Sequence, residues 1–150
     1  MTIVIRDLVR GVGSGVLATA AMSAVMLAGE RAGLMRDQPP KRIVRGLLPG
    51  HRHRPKSRER ALGAIAHFGF GATGGAAFAL LCRGRRAPVP LGVAYGLAIW
   101  FVSYQGWVPK LEVLPPIDED QPGRQAVMAT GHVVYGAMLA LAMNGPRREA

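Results

Sequence analysis

The sequence predicts an all-α integral membrane protein: a four-helix bundle, built as two tandem helical hairpins related by a pseudo-two-fold, in one transmembrane domain over residues 1–150. Three observations carry that prediction. The 19 Lys or Arg and 9 Asp or Glu are almost all confined to the intervals between four apolar runs, at about 9–29, 61–82, 88–108 and 125–144. A soluble amphipathic helix returns a polar residue to its outer face every turn, whereas these runs do not. Runs of roughly 18 or more apolar residues are the signature of a membrane span. The runs also carry small residues at every fourth position, the spacing that lets helices in lipid approach backbone to backbone. Finally, the second and fourth runs repeat each other: Ala64-x-x-His67-x-x-Phe70-Gly71-Ala72 matches Ala129-x-x-His132-x-x-Tyr135-Gly136-Ala137.

The first run follows Arg6 and Arg10, a pattern also found in secretory signals. Its uncharged stretch from Gly11 to Gly29 exceeds the ~7–15 residues of a signal core. The stripe Gly11, Gly15, Thr19, Ser23 is a packing surface that a discarded peptide does not need, so the run is read as a retained span.

The interval 30–60 is the most basic part of the chain, with ten Lys or Arg against Glu30, Asp37 and Glu59. Within it, Lys41 to Leu48 alternates Ile43, Val44, Leu47 and Leu48 with Lys41, Arg42 and Arg45, after Pro39-Pro40 and before Pro49-Gly50. These features predict a short amphipathic helix lying on the membrane, with Lys41, Arg42 and Arg45 as a lipid-facing basic patch. Its expected partner is anionic lipid or a membrane protein. The His51 to Lys56 run could attract nucleic acid, but no aromatic residue or recognition fold accompanies it, so no nucleic-acid partner is expected.

The second run, Ala61 to Cys82, contains no Asp, Glu, Lys or Arg and places Gly63, His67, Gly71, Gly75 and Ala79 on one face. A short basic turn, Arg83 to Arg86, leads to Pro88 and Pro90, where a helix can begin. The third run opens on Gly92-x-x-x-Gly96 and ends on Trp100, Tyr104 and Trp107, the last read as an interfacial anchor. The interval 109–124 is acidic and Pro-rich; Asp118-Glu119-Asp120 lacks the spaced ligands of a calcium loop and is read as solvated. The fourth run places Met128, His132, Gly136, Ala140 and Asn144 on one face. The single Cys82 excludes an internal disulfide and a multi-cysteine metal site.

Duplication puts His67 and His132 at the same depth on helices running in the same direction, both on small-residue faces. Together with Tyr135 they form the candidate intramembrane polar site. Packing accounts for such histidines in many membrane helices; a solute path or a metal or haem site shared by the two imidazoles are the alternatives. No cofactor is predicted, the metal question stays open, and the spans hold no nucleophile or acid/base arrangement, which points away from an enzyme. The leading reading is a structural or accessory bundle binding lipid or a membrane partner, with a homo-oligomer compatible. A small transporter or channel is the next, against which stands the absence of any carboxylate inside a span. A redox module is the third. The first and third intervals hold 12 Lys or Arg and the remaining ends and turn hold 7, which favours the cytoplasm for residues 30–60 and 109–124.

The Gly-rich first span, Pro39-Pro40-Lys41-Arg42-Ile43, His67-x-x-Phe70-Gly71, Leu114-Pro115-Pro116 after Trp100 and Trp107, and Pro122-x-Arg124 leading to His132-x-x-Tyr135-Gly136 together resemble small uncharacterised bacterial four-span inner-membrane proteins. They are loosely similar to the YagU type, of unknown function. The resemblance implies multi-pass residence in the bacterial cytoplasmic membrane and supplies no activity.

Overall fold

The computed structural model describes residues 2–36, 38–51, 54–110, 112, 114–115 and 119–145. Asp118 and Pro116 of the acidic interval, and Asp37, Arg52 and His53 of the basic one, lie outside these residues. The described residues form α1 (Thr2–Arg31), α2 (Pro39–Leu47), α3 (Glu59–Cys82), α4 (Val89–Val102), a π-helical turn (Ser103–Trp107), α5 (Val108–Lys110) and α6 (Pro122–Asn144), with no strand among them. Proline opens α2, α4 and α6 within their first two positions, where its missing N–H leaves no intrahelical bond unmade. Arg83, at φ 47°, ends α3 by donating its N–H to the Ala79 carbonyl, and Gly84 at φ 74° completes the reversal.

Among the described residues three helical stretches are long and apolar enough to cross a membrane: Ile5–Arg31, Glu59–Cys82 and Pro122–Asn144. The third expected span departs from the sequence reading, because 88–108 is not one α-helix. Its α-helical part is 14 residues, after which the chain widens so that the Val108 N–H reaches back five residues to the Ser103 carbonyl. Pro109 supplies the reason: a proline ring inside a helix clashes with the carbonyl four residues earlier, here that of Gln105, and a wider turn relieves it.

α1 packs on both α3 and α6, α4 packs on α6, and α2 lies across α3. The seams are backbone against backbone. A Cβ on Gly11 or Gly15 would strike the carbonyl of Gly75 or Gly71, and a Cβ on Gly92 or Gly96 would strike that of Gly136 or His132. The two seams differ by one turn, since Gly15 meets Gly71 whereas Gly96 meets His132 rather than Gly136. A side-chain volume explains the slip. Thr19 fits over Gly71; when Gly11 and Gly15 of α1 are matched to Gly92 and Gly96 of α4, the place of Thr19 is taken by Trp100, which is too large to sit over Gly136. Elsewhere the core is filled by Met26, Met35, Phe78 and Leu139.

The outer surface is apolar. Ile65, Leu81, Val9, Val102 and Leu17 are each more than half exposed, while Ser14 and Thr19 are buried in the seam. An arrangement with small and hydroxyl residues inside and large aliphatic ones outside suits hydrocarbon as the surrounding medium, because lipid tails exert no pressure to bury leucine.

Candidate functional site

Where α3 and α6 pass each other, Tyr135 donates its hydroxyl to the Gly71 carbonyl at 2.8 Å, and Tyr95 of α4 does the same to the Gly74 carbonyl at 2.8 Å. Phe78 stacks on Tyr95 with ring centroids 4.9 Å apart. These side chains close the gap between α3 and α4 at one level of the helices. Beyond it, towards α2, the gap stays open and forms a cavity of about 210 Å³.

Side chains from α1, α2, α3, α4, the π-helical turn, α5 and α6 line the cavity. α1 contributes Thr19 and Met22; α2 contributes Pro39, Pro40 and Ile43; α3 contributes Ala66, His67 and Phe70. The α4 side brings Ile99, Ser103 and Trp107, and α6 brings Met128, His132 and Tyr135. Among the described residues no Asp, Glu, Lys or Arg lines it. Two of the lining residues, Phe70 and Trp107, reach the outer surface: their rings pack against each other with centroids 6.4 Å apart and they are 51% and 40% exposed.

His67, His132 and Tyr135 therefore border a single space. His132 is buried, and its Nδ1 lies 2.8 Å from the Met128 carbonyl one turn back. His67 is partly buried, and its Nε2 is enclosed without a hydrogen-bond partner. Among the described residues no group of three or more His, Cys, Asp or Glu gathers that could hold a metal ion. A ~150 Å³ cavity takes one benzene ring, so about 210 Å³ is far short of a tetrapyrrole unless the helices part.

The basic patch is rearranged. Arg45 turns inward and is buried: its guanidinium grips the Glu59 carboxylate with bonds of 2.8 and 2.7 Å. Lys41 stands 3.9 Å from the same carboxylate, and Glu59 also accepts the Lys56 backbone N–H at 2.9 Å. Lys56 in turn donates to the Arg45 and Leu48 carbonyls at the end of α2. Arg45 thus does not face lipid, contrary to the sequence reading, because Glu59 lies fourteen residues further on and only the fold brings it beneath α2. Among the described residues of this basic interval, the exposed cations are Arg31, Arg36, Arg54, Arg58 and Arg60.

The acidic interval also departs from expectation at one residue. Glu119 is exposed, but Asp120 is buried, accepting the Tyr104 hydroxyl from the π-helical turn and the Arg124 guanidinium from the first turn of α6. That triad pins the widened turn, and so the Ser103–Trp107 wall of the cavity. Sequence reasoning missed the wall; Pro109, directly after the third apolar run, was the signal that could have found it.

A family model described as a family of unknown function, DUF6789, matches residues 5–148. The chain belongs to that family. No curated protein and no solved structure matches the chain. The matched stretch of this DUF6789 chain includes the cavity, both histidines and the Arg45–Glu59 pair. The family match carries no activity, no link to the YagU type and no source.

Proposed function

We propose that this chain is a small multi-pass protein of a bacterial cytoplasmic membrane that works as a binding bundle. On this reading it crosses four times, the fourth crossing being α4 with its π-helical turn, as two tandem hairpins related by a pseudo-two-fold. The stretch from Val89 to Lys110 is helical throughout, which at ~1.5 Å per residue spans a hydrocarbon core. The bundle holds a membrane-soluble molecule between α3 and the π-helical turn. The observation that carries this is the apolar cavity with no charged side chain among its lining residues and with the exposed aromatic rings of Phe70 and Trp107 in its wall. Cavities of this kind are the usual small-molecule sites between bundle helices. Anionic lipid is the proposed partner of the basic end, through the exposed Arg54, Arg58 and Arg60, with Lys41 and Arg42 nearby.

The test is extraction of the protein purified with its native lipids, followed by mass spectrometry. The wild type should retain an uncharged apolar compound, above bulk lipid, that is depleted several-fold in Ser103→Phe, which fills the cavity from the π-helical turn. Identical extracts from both proteins would refute the cavity as a binding site.

A further inference from the structure

Resting on the binding reading above, the geometry points to a hydroxyl-bearing ring with an apolar tail, a lipid-soluble phenol, as the cavity's ligand. The polar groups around the cavity decide the head. A carbonyl only accepts, so the 2.8 Å contact from His132 Nδ1 to the Met128 carbonyl assigns the proton of that ring to Nδ1. An imidazolium would be a buried charge with no carboxylate among the lining residues to balance it. The neutral ring therefore carries its lone pair on Nε2, and a lone pair requires a donor. Two of the other donors in the lining are engaged elsewhere, the Tyr135 hydroxyl on the Gly71 carbonyl and the Thr19 hydroxyl on the Gly15 carbonyl at 2.7 Å, and the other two, the Ser103 hydroxyl and the Trp107 indole N–H, make no hydrogen bond to His132. On the other side His67 Nε2 is enclosed and unpartnered, a second nitrogen for the same head group.

Size and exit complete the description. About 210 Å³ is somewhat more than the ~150 Å³ that holds one benzene ring, which suits one substituted six-membered ring and excludes a whole lipid. The remainder of the molecule leaves past the exposed Phe70 and Trp107 rings, which touch each other and part to let it into lipid. A charged head is disfavoured by the uncharged lining, and a bare hydrocarbon would leave the imidazole nitrogens without partners.

The experiment uses the full chain in nanodiscs of phosphatidylethanolamine and phosphatidylglycerol, with tritiated 4-decylphenol and 4-decylanisole as probes and empty nanodiscs as the partition control. The two probes share ring and tail, and only the phenol can donate. The phenol should bind the wild type about tenfold more tightly than the anisole, the discrimination expected when one buried hydrogen bond is lost. In His132→Phe the phenol should fall to the anisole level while anisole retention persists, which shows the cavity to be intact. Equal retention of both probes by the wild type, with both displaced in Ser103→Phe, would overturn the hydroxyl inference and leave the cavity reading standing. Retention of neither probe above empty nanodiscs, with native extracts unchanged in Ser103→Phe, would overturn both.

Discussion

Gly75→Ala should open the α1–α3 seam. A Cβ at residue 75 would lie 2.7 Å from Gly15 Cα and 2.9 Å from Gly15 N, and closer still to the Gly11 carbonyl oxygen. All three obstacles are backbone, so no side-chain rotation relieves them, and ordinary contact begins only at 3.4 Å. The helices must part by most of an ångström. Because each is a rigid rod, the separation spreads to the neighbouring contacts at Gly11, Gly15 and Gly71. A gap of ~0.5–1 Å forfeits a quarter to a half of each dispersion contact, and overpacking in general costs about 1–3 kcal/mol. The expected loss is in the upper part of that range, about 2–3 kcal/mol. Gly13→Ala, two residues from Gly15 on α1, is the control: nothing lies within 4 Å of its Cβ. Its effect should be neutral, or stabilising by up to ~1 kcal/mol from helix propensity. Reversible unfolding in mixed micelles, titrated with dodecyl sulfate and followed by helical circular dichroism, reads the difference. Equal midpoints for Gly75→Ala and Gly13→Ala would refute backbone-to-backbone packing at this seam.

Glu59→Gln should cost about 3–5 kcal/mol by leaving Arg45 as a buried charge without its counter-ion, and Arg45→Met combined with Glu59→Met should recover most of that loss; a double variant no better than the single one would contradict the pairing. Asn144→Ala removes both hydrogen bonds that hold Ala87, at 3.0 and 2.7 Å, and should lower stability by about 1–3 kcal/mol; an unchanged unfolding midpoint would contradict it. In a Cys82→Ala background, Ser57→Cys and Glu119→Cys should be labelled from the same side of the membrane, because the two proposed spans α3 and α4 separate them. Labelling from opposite sides would eliminate the four-crossing topology.

The amino-acid sequence by itself determined the helical class and the apolar stretches, because charge exclusion from long runs is a one-dimensional property. It also determined which faces approach most closely: Gly11, Gly15, Gly71, Gly75, Gly92, Gly96 and Gly136 are spaced at helical turns, and a helix puts such positions in line whatever its neighbours are. His67 and His132 were legible as polar residues on those faces. What the tertiary structure decided are the relations between distant segments. The one-turn slip between the seams follows from Thr19 against Trp100, a volume comparison that matters only once helices are in contact. The burial of Arg45 follows from Glu59 arriving beneath α2, and the burial of Asp120 from Tyr104 and Arg124 converging on it. The cavity itself is a residue of three such decisions: where Tyr95 and Tyr135 close the gap, where Pro109 forces the chain wide, and where α2 comes to rest. No periodicity records those events, because each is set by side chains from different helices competing for the same volume.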